Sequence, residues 1–395
     1  MEERIGISLK KNILFVCYGL GVGGIEKCLV NLINKLDKGK YSIDVLPLNP
    51  EYDLKNQITG KINILDAFQY SFSTMVPLQQ YTKEDIFIAK CKKIFKYFIF
   101  RINNKLNFKP WLLFKGIDRK YDIAIAYSQN GFSPYYVIDK ISANKKYLWY
   151  HNGSYNKDKK SYKLDKEYYS KFNNIIAVSQ DCKNNLERYF PEIKENIIIL
   201  NNVYNYKEII LKSKEKMRVN FDNKDINIVT VGRLTKEKGA DLALEICYQL
   251  VKRGYHIHWY WIGDGNQFDV INNEIEKKNM TPYFTILGND INPYSYMANC
   301  DIYVQPSYYE AYCTTTIEAR TLAKSIVVTD VGGMREQFID KKTCLIVPID
   351  ENEIFNAIKL LIENPNLRQE LSKNIKDLNF ESNSDINEYN KFFEV

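Results

Sequence analysis

Two glutamates with seven residues between them, Glu310 and Glu318, lie where a predicted strand gives way to a predicted helix. The apolar run Asp301–Gln305 indicates the strand, which Pro306 ends, and the helix is predicted over 314–324. Glu310 is therefore expected on the loop above the helix N-terminus, and Glu318 about one turn inside the helix. Free backbone N–H groups and the helix dipole at that terminus favour an anion such as a diphosphate. Two carboxylates beside an anion site suit a ligand that also carries hydroxyl groups, and a nucleotide-linked sugar fits this description.

A plainer interpretation of the same residues stays open. Thr315 and Glu318 have the spacing of a helix capping box, in which Glu318 would only stabilise the helix end. Glu310 would then be a solvated loop residue. A short motif alone does not separate these alternatives.

Two cations, Arg233 and Lys238, follow another predicted strand, which ends at Gly232. Arg233 stands at the carboxyl end of that strand, and Lys238 precedes Gly239 and the next helix. Cations at the C-terminal edge of a strand in a wound sheet suit a diphosphate. A solvated loop with several charges is the alternative.

The segment around the two glutamates resembles the Glu-x7-Glu signature of the retaining family 4 glycosyltransferases, which have the GT-B fold. The run from Ser325 to Ile339 is similar to that family's strand, turn and helix, and the loop from Gly232 to Gly239 resembles its Gly-Arg-x4-Lys-Gly element. The family usually has glycine after the first glutamate, where this chain has Ala311, whose methyl group narrows the loop and disfavours a positive φ. The resemblance implies that Glu310 binds hydroxyls of the donor sugar, Glu318 binds the ribose, and Arg233 and Lys238 neutralise the leaving diphosphate. It also implies a donor site lined by Ala311, Tyr312, Cys313 and Thr314.

A glycine-rich loop, Gly19–Gly24, follows the first predicted strand and opens a helix. It satisfies the Gly-x-Gly-x-x-Gly dinucleotide pattern, so an NAD-dependent oxidoreductase is an alternative function. That function also calls for an acid at the end of the second strand, which here ends at Asn49 with no acid at its tip. The stretch Gly23-Gly24-Ile-Glu26 resembles the family 4 loop that approaches the donor phosphate and the acceptor. A simple tight turn is the third possibility.

Two further strand ends carry candidate residues. Gly263 belongs to a Gly-x-Gly turn that resembles the family's turn near the nucleotide base, although turn chemistry alone would explain it. His151 ends a strand of the first domain, where a wound sheet binds its ligand. The resemblance implies a histidine that faces the donor sugar, and we expect it to donate or accept a hydrogen bond there.

Composition limits the function classes. The chain has 395 residues and is 45% hydrophobic, which is enough for two domains with cores of their own. Its net charge of +7 is too mild to require nucleic acid as a partner. Its eight cysteines are scattered without a Cys-x-x-Cys pair, which predicts reduced, buried thiols and a cytoplasmic protein. Neither an Asp-x-Asp pair nor a convincing metal site occurs, since His256 and His258 precede an apolar strand and are expected to pack there. No cofactor or metal is expected beyond a nucleotide-sugar co-substrate.

Short apolar strands alternate with helices along the whole chain. This alternation predicts an α/β protein with two Rossmann-like, doubly wound parallel-sheet domains that face each other across a cleft, as in the GT-B fold. We expect an N-terminal acceptor-binding domain over 1–204, a polar linker over 205–224 and a C-terminal nucleotide-sugar-binding domain over 225–383. Residues 384–395 are expected to return to the first domain, as the GT-B resemblance implies.

Residues 83–120 are rich in lysine and arginine, and a stripe of aliphatic and aromatic residues runs along the predicted helix. A basic amphipathic helix of this kind either contacts a membrane surface or packs its apolar stripe on the domain, and both stay open. No apolar run approaches the length of a membrane span. Location at the inner face of the membrane is therefore compatible with the sequence.

The residues and the resemblance together imply a retaining, metal-independent transfer of a sugar from a nucleotide donor, with UDP favoured. The acceptor would be a glycan or a polyprenyl-linked glycan of surface polysaccharide biosynthesis, bound in the first domain near Gly23, Gly24 and His151. A non-catalytic partner that keeps a transferase fold is a further alternative, which the complete set of charged residues disfavours.

Overall fold

The computed structural model describes residues 10–66, 109–158, 161–377 and 384–394. Two separate sheets organise these residues, with seven and six strands, and every pairing within them is parallel. The strands are short, most of them are largely buried, and helices lie between most consecutive strands. The predicted fold class, two wound parallel-sheet domains, is therefore confirmed.

The first sheet has the order β3-β2-β1-β4-β5-β6-β7. Its strands are β1 (Lys11–Cys17), β2 (Tyr41–Pro47), β3 (Asn63–Ile64), β4 (Lys120–Ala126), β5 (Ser142–Tyr150), β6 (Asn174–Ala177) and β7 (Ile197–Ile199). The order reverses direction between β1 and β4, where Val16 lies opposite both Leu46 and Ala126. Loops that leave the carboxyl ends of β1 and β4 diverge at such a point and leave a crevice for a ligand.

The second sheet repeats this arrangement in the order β10-β9-β8-β11-β12-β13. Its strands are β8 (Ile226–Val231), β9 (Ile257–Ile262), β10 (Phe284–Gly288), β11 (Ile302–Gln305), β12 (Ser325–Thr329) and β13 (Leu345–Val347). The reversal lies between β8 and β11, which pair through Ile302 and Tyr303. The loop with Arg233 and Lys238 leaves β8, and the loop with Glu310 leaves β11, so both emerge at the crevice of this sheet.

The helices bury one apolar face against the sheets and expose the other. They are α1 (Gly24–Lys35), α2 (Ser133–Lys140), α3 (Tyr162–Tyr169), α4 (Gln180–Tyr189), α5 (Tyr206–Lys212), α6 (Ala240–Lys252), α7 (Phe268–Lys277), α8 (Tyr294–Asn299), α9 (Thr314–Thr321), α10 (Met334–Gln337), α11 (Glu351–Glu363), α12 (Pro365–Asp377) and α13 (Ser384–Glu394). Helix α9 is shorter than the predicted span 314–324, because Ala323 takes a left-handed conformation with φ of 50°. Among the described helices, none is long and apolar enough to cross a membrane.

The C-terminal helix α13 packs on the first sheet although it follows the second in sequence. Tyr389 and Phe393 belong to the buried core of the first sheet, and the Tyr389 ring stacks on Trp149 with ring centres 5.9 Å apart. The Lys11 ammonium donates to the backbone oxygen of Phe393 at 2.9 Å. The domain limits 1–204, 205–224 and 225–383 stay predictions, and the structure adds that helix α5 lies within the linker.

Part of the basic segment 83–120 is described. Trp111 and Phe114 are buried in the first core, and the Trp111 ring lies 4.5 Å from the Tyr135 ring. These two aromatic residues therefore pack inside the domain. The predicted amphipathic helix itself, up to residue 108, lies outside the described residues.

Candidate active site

Lys238 and Glu310 form an ion pair at the crevice of the second sheet. The Lys238 ammonium donates to both oxygens of the Glu310 carboxylate, at 2.7 and 2.8 Å. Both side chains are largely buried, with 18% and 8% exposed. Burial works against the ammonium charge, but the Glu310 carboxylate outweighs it, so the pKa of Lys238 is raised. Lys238 and Glu310, which were predicted from separate motifs, thus form one ion pair.

A chain of buried hydrogen bonds orients Glu310. The Ser307 hydroxyl donates to Oε1 of Glu310 at 2.7 Å and accepts from the amide of Gln305 at 3.0 Å. The amide oxygen of Gln305 in turn accepts from the hydroxyls of Tyr303 and Thr315, at 2.7 and 3.0 Å. The sequence carries no signal for this network, because only the fold brings the end of β11 and the first turn of α9 together. A buried, satisfied network of this kind holds a carboxylate in one position.

The N-terminus of helix α9 is left without a side-chain cap. Its N-cap residue is Cys313, and the helix-start hydroxyls turn elsewhere: Thr315 donates to Gln305, and Thr316 donates to the backbone oxygen of Cys313. The capping-box alternative is therefore wrong, because Thr315 lies inside the helix and does not cap it. The first backbone N–H groups and the positive end of the dipole face the loop that carries Glu310.

Glu318 lies inside α9 with 4% of its surface exposed. Tyr294 donates to its Oε1 at 3.2 Å, and the Lys27 ammonium of the first domain lies 3.8 Å from the same oxygen. Oε2 is buried and has no hydrogen-bond partner among the described residues. Burial raises the pKa of Glu318, and Lys27 and Tyr294 act in the opposite direction.

Arg233 differs from the other cation of its loop. Its side chain is 70% exposed and lies 3.4 Å from Glu237, four residues further along the loop. The structure therefore places Arg233 at the rim and Lys238 inside the crevice. An exposed guanidinium at a rim can reach toward a bound anion without losing much hydration.

Gly263 and Gly153 stand where another backbone approaches too closely for a side chain. Gly263 has φ of 142°, and a Cβ atom there would lie 2.0 Å from the backbone oxygen of Gly232. In the first domain, a Cβ atom at Gly153 would lie 2.0 Å from the backbone oxygen of Glu310. Gly153 thus lets the turn after His151 touch the Glu310 loop across the cleft. Ala311 does not have a positive φ, in agreement with the expectation from its methyl group.

His151 is almost fully buried at the end of β5. Its backbone N–H donates to Gln129 at 2.9 Å, and its ring lies 5.2 Å from the Tyr127 ring. Burial lowers the pKa of His151 to about 4, so the ring is neutral near pH 7. One ring nitrogen bonds the backbone of Tyr127, and Nε2 has no partner among the described residues. A neutral imidazole with a bare Nε2 can accept a hydrogen bond from a hydroxyl group.

The loop Gly19–Gly24 is lined by two carboxylates. A Cβ atom on Gly21 would lie 2.8 Å from Glu51, and one on Gly23 would lie 2.1 Å from Glu26. Burial raises the pKa of Glu26, and the charge of Glu51 acts in the same direction. Glu51 was not predicted as a residue of this loop, and it follows the second strand beyond Asn49. Glu51 therefore supplies an acid close to the glycine loop, so the sequence argument against NAD from this strand end is weakened.

The first and second domains touch at several places around the site. The Ser179 hydroxyl donates to the backbone oxygen of Ala311 at 3.1 Å. Glu336 accepts from the backbone N–H groups of Gln180 and Asp181 at the start of α4, at 2.8 and 3.0 Å. A Cβ atom on Gly24 would lie 2.9 Å from the hydroxyl of Thr314. The cleft is therefore closed, and residues predicted from both halves of the chain lie along it.

The cysteines and histidines of the described residues have structural surroundings. The residues with coordinates contain no group of three or more His, Cys, Asp or Glu side chains that could hold a metal. The seven cysteines among them are free and buried. Nε2 of His258 hydrogen-bonds Thr285 at 2.8 Å and its ring stacks on Tyr260, which agrees with packing at a strand.

Comparison with known proteins gives one consistent result. Residues 212–378 match the family model described as glycosyl transferases group 1. The N-acetylgalactosamine-N,N'-diacetylbacillosaminyl-diphospho-undecaprenol 4-alpha-N-acetylgalactosaminyltransferase of Campylobacter jejuni is 26% identical over 356 residues, which cover 89% of this chain and 90% of that protein. Protein CapJ of Staphylococcus aureus is 24% identical over 83% of this chain and 82% of its own length.

Solved structures share the fold over the whole chain. Anabaena Alr3699/HepE in complex with UDP and glucose superposes with a TM-score of 0.71, covering 97% of this chain and 99% of that one at 14% identity. The likeness shows that this chain has the GT-B fold, and residues 212–378 match the group 1 glycosyl transferase family.

Proposed function

We propose that this protein transfers a sugar from a UDP-sugar donor to a hydroxyl group of a glycan acceptor, with retention of the anomeric configuration, as in the family 4 enzymes that its motifs resemble. The observation that carries the proposal is the Lys238–Glu310 pair beside the uncapped N-terminus of α9. Positive charge, free N–H groups and an oriented carboxylate meet there within one crevice. These are the groups that a nucleotide-linked sugar needs.

On the donor side, each part of the ligand has a partner. Lys238, Arg233 and the first N–H groups of α9 would hold the diphosphate. Glu310 would accept hydroxyls of the donor sugar, and the bare Oε2 of Glu318 would accept a ribose hydroxyl. The close turn at Gly263 would leave room for the base, and Ala311, Tyr312, Cys313 and Thr314 would line the loop between the two glutamates.

The reaction exchanges one bond at the anomeric carbon. The acceptor hydroxyl oxygen forms the new bond to that carbon, and the bond from the carbon to the diphosphate oxygen breaks. The diphosphate leaves with the electron pair of that bond and takes the acceptor proton on the same face. Lys238, Arg233 and the helix N-terminus stabilise the developing negative charge, so the proposal needs neither a protein base nor a metal ion.

On the acceptor side, the first domain offers His151 and the loop at Gly23 and Gly24. The bare Nε2 of neutral His151 would accept a sugar hydroxyl at the junction of donor and acceptor. Carboxylates of Glu26 and Glu51 favour a neutral sugar end over a phosphate in this part of the cleft. The acceptor is therefore proposed to present a sugar hydroxyl, with any lipid diphosphate held farther away.

One relative supports an acceptor that is linked to a polyprenyl carrier. The Campylobacter relative is named for transfer to an undecaprenol-linked sugar. By analogy, we propose that the acceptor is a polyprenyl-linked glycan and that the transfer takes place at the inner face of the membrane. The basic residues of 83–120 are the proposed point of membrane contact.

A turnover assay tests this function. The purified protein is incubated with UDP-sugars and short glycan acceptors, UDP release is measured, and the anomeric configuration of the fresh product is determined by NMR. Transfer with retention is expected, and it is lost in Lys238→Met but kept in the matched control Lys236→Met, whose lysine is exposed in the same turn. Reduction of NAD by candidate alcohols, or normal transfer by Lys238→Met, contradicts the proposal.

A further inference from the structure

Lys27 is a residue of the first domain that lies in the nucleotide crevice of the second. It belongs to the first turns of α1, and its ammonium lies 3.8 Å from Oε1 of Glu318 on α9. The same ammonium lies 5.2 Å from the centre of the Tyr294 ring. Its side chain is 20% exposed, and that of Glu318 is 6% exposed. The contact is therefore a largely buried ion pair between the two domains.

The charge of the Glu318 carboxylate depends on the Lys27 ammonium. Among the residues that the structure describes, Lys27 is the one cation within 4.0 Å of Glu318. Tyr294 supplies a single hydrogen bond to Oε1, and Oε2 is buried without a partner in the described part of the chain. A buried carboxylate without a counter-charge tends to take up a proton, and a protonated carboxyl has fewer free lone pairs for hydroxyl groups.

The neighbouring contacts fix the position of the pair. Cys28, the next residue of α1, packs with Ile317 and Tyr204 in a small buried cluster that joins the two domains. A pocket beside this cluster is lined by Lys27, Asn31, Tyr204, Tyr294, Thr314 and Glu318. Oε1 of Glu318 thus faces Lys27 and Tyr294, whereas Oε2 is a buried acceptor without a hydrogen-bond partner among the described residues.

We propose that Lys27 is a nucleotide-positioning residue: it keeps the Glu318 carboxylate charged and turned so that Oε2 accepts a ribose hydroxyl. This inference rests on the proposed function, since it presupposes a ribonucleotide in the crevice. Its consequence is that recognition of the ribose requires both domains, although the nucleotide contacts of the proposed function otherwise come from the second.

An alternative role for Lys27 is to hold the closed domains together without any effect on the ribose. The chain offers a matched control for this role. Glu336 also joins the domains, through the N-terminus of α4, and does not contact Glu318. A loss of closure should weaken every nucleotide equally, whereas a misplaced Glu318 should weaken only nucleotides that have ribose hydroxyls.

Calorimetric titration with UDP and with 2′,3′-dideoxyuridine diphosphate separates the two roles. The wild type should bind UDP more tightly than the dideoxy analogue. In Lys27→Met the affinity for UDP should fall about tenfold and the preference should largely disappear, because the charged hydrogen-bond acceptor is lost. Lys27→Arg should restore the preference, and Glu336→Gln should leave it unchanged. Lys27→Gln serves as the second neutral variant if Lys27→Met does not fold.

An undiminished preference for UDP in folded Lys27→Met or Lys27→Gln overturns the inference. Equal losses for both nucleotides also overturn it and assign Lys27 to domain closure. A wild type that binds neither nucleotide refutes the proposed function itself, and the inference falls with it. Binding of both with the same affinity in the wild type refutes the ribose role of Glu318 alone.

Discussion

Replacement of Lys238 by methionine should separate the stability of the site from its chemistry. The variant keeps most of the side-chain volume but leaves the buried Glu310 carboxylate with the Ser307 hydroxyl as its remaining close side-chain partner in the described chain. Breaking a buried ion pair in this way costs about 3–5 kcal/mol. The Ser307 bond and the neighbouring helix N-terminus offset part of this, so we expect a loss of about 2–3 kcal/mol in the free energy of unfolding.

The reverse change is expected to be milder. In Glu310→Gln the lysine loses its partner, but its side chain is 18% exposed and can turn toward water. We expect a loss of about 1 kcal/mol for this variant. The double variant, Lys238→Met with Glu310→Gln, leaves no unpaired charge and should be about 1–2 kcal/mol more stable than Lys238→Met alone.

Activity should not follow stability. Sugar transfer should fall by about 100-fold to 1000-fold in each single variant and stay lost in the double variant, because the diphosphate cation or the sugar contact is missing. Urea unfolding with a constant m-value measures the first quantity, and the initial rate of UDP release measures the second. A double variant no more stable than Lys238→Met, or one that regains activity, would refute the assignment of a buried, functional ion pair.

Three other outcomes follow from the geometry. Gly153→Ala should lower kcat about 100-fold with little change in the melting temperature. The reason is that its Cβ atom would meet the backbone oxygen of Glu310 and hold the domains apart. An unchanged kcat together with an unchanged radius of gyration in X-ray scattering would contradict this. Glu336→Gln should weaken domain closure by about 0.5–1 kcal/mol, since the start of α4 loses its anionic partner. X-ray scattering without nucleotide checks this prediction, and a variant that stays fully closed would count against it. His151 has a pKa lowered to about 4 by burial, below its value in the unfolded chain. Its contribution to stability is therefore complete above about pH 6.5 and is lost as the pH falls toward 4, because the unfolded chain binds the proton first. His151→Gln should remove this part of the pH dependence in urea unfolding between pH 7 and pH 4, and an identical dependence in both proteins would refute it.

The fold could be predicted because its strands are short apolar runs that stop at glycine, proline or polar residues. The strand predicted over 301–305 matches β11 to within one residue, and the strands predicted to end at Gly232 and His151 match β8 and β5 equally well at that end. Strand β5 begins well before its buried run, because its first residues, from Ser142 to Lys146, are mostly polar and partly exposed. Patterns of burial identify the centre of a strand more clearly than its exposed beginning.

The candidate site was only partly predictable. Glu310, Glu318 and Lys238 are carried by motifs with fixed spacing, so sequence alone could nominate them. Their mutual contacts could not be predicted, since the ion pair joins loops from two neighbouring strands. The roles of Gln305 and Ser307 had no signal in the sequence, because Gln305 ends a strand and a serine after a strand usually marks an ordinary turn.

Contacts between the domains were beyond sequence reasoning for a different reason. The sequence pattern predicts Lys27 on the solvent face of an amphipathic helix and Glu51 in a loop. Each is brought to the cleft by the packing of one domain on the other or by the return of a loop. Spacing along the chain carries no information on such contacts.

The most direct test of the central claim is ligand-observed NMR of nucleotide binding. Wild type and Lys238→Ala are titrated against UDP-, GDP- and ADP-sugars and against NAD, with Lys236→Ala as the matched control. We expect selective binding of a UDP-sugar by the wild type and the control, and its loss in Lys238→Ala. Binding of NAD alone, or UDP-sugar binding that Lys238→Ala leaves intact, would contradict a donor site built on the Lys238–Glu310 pair.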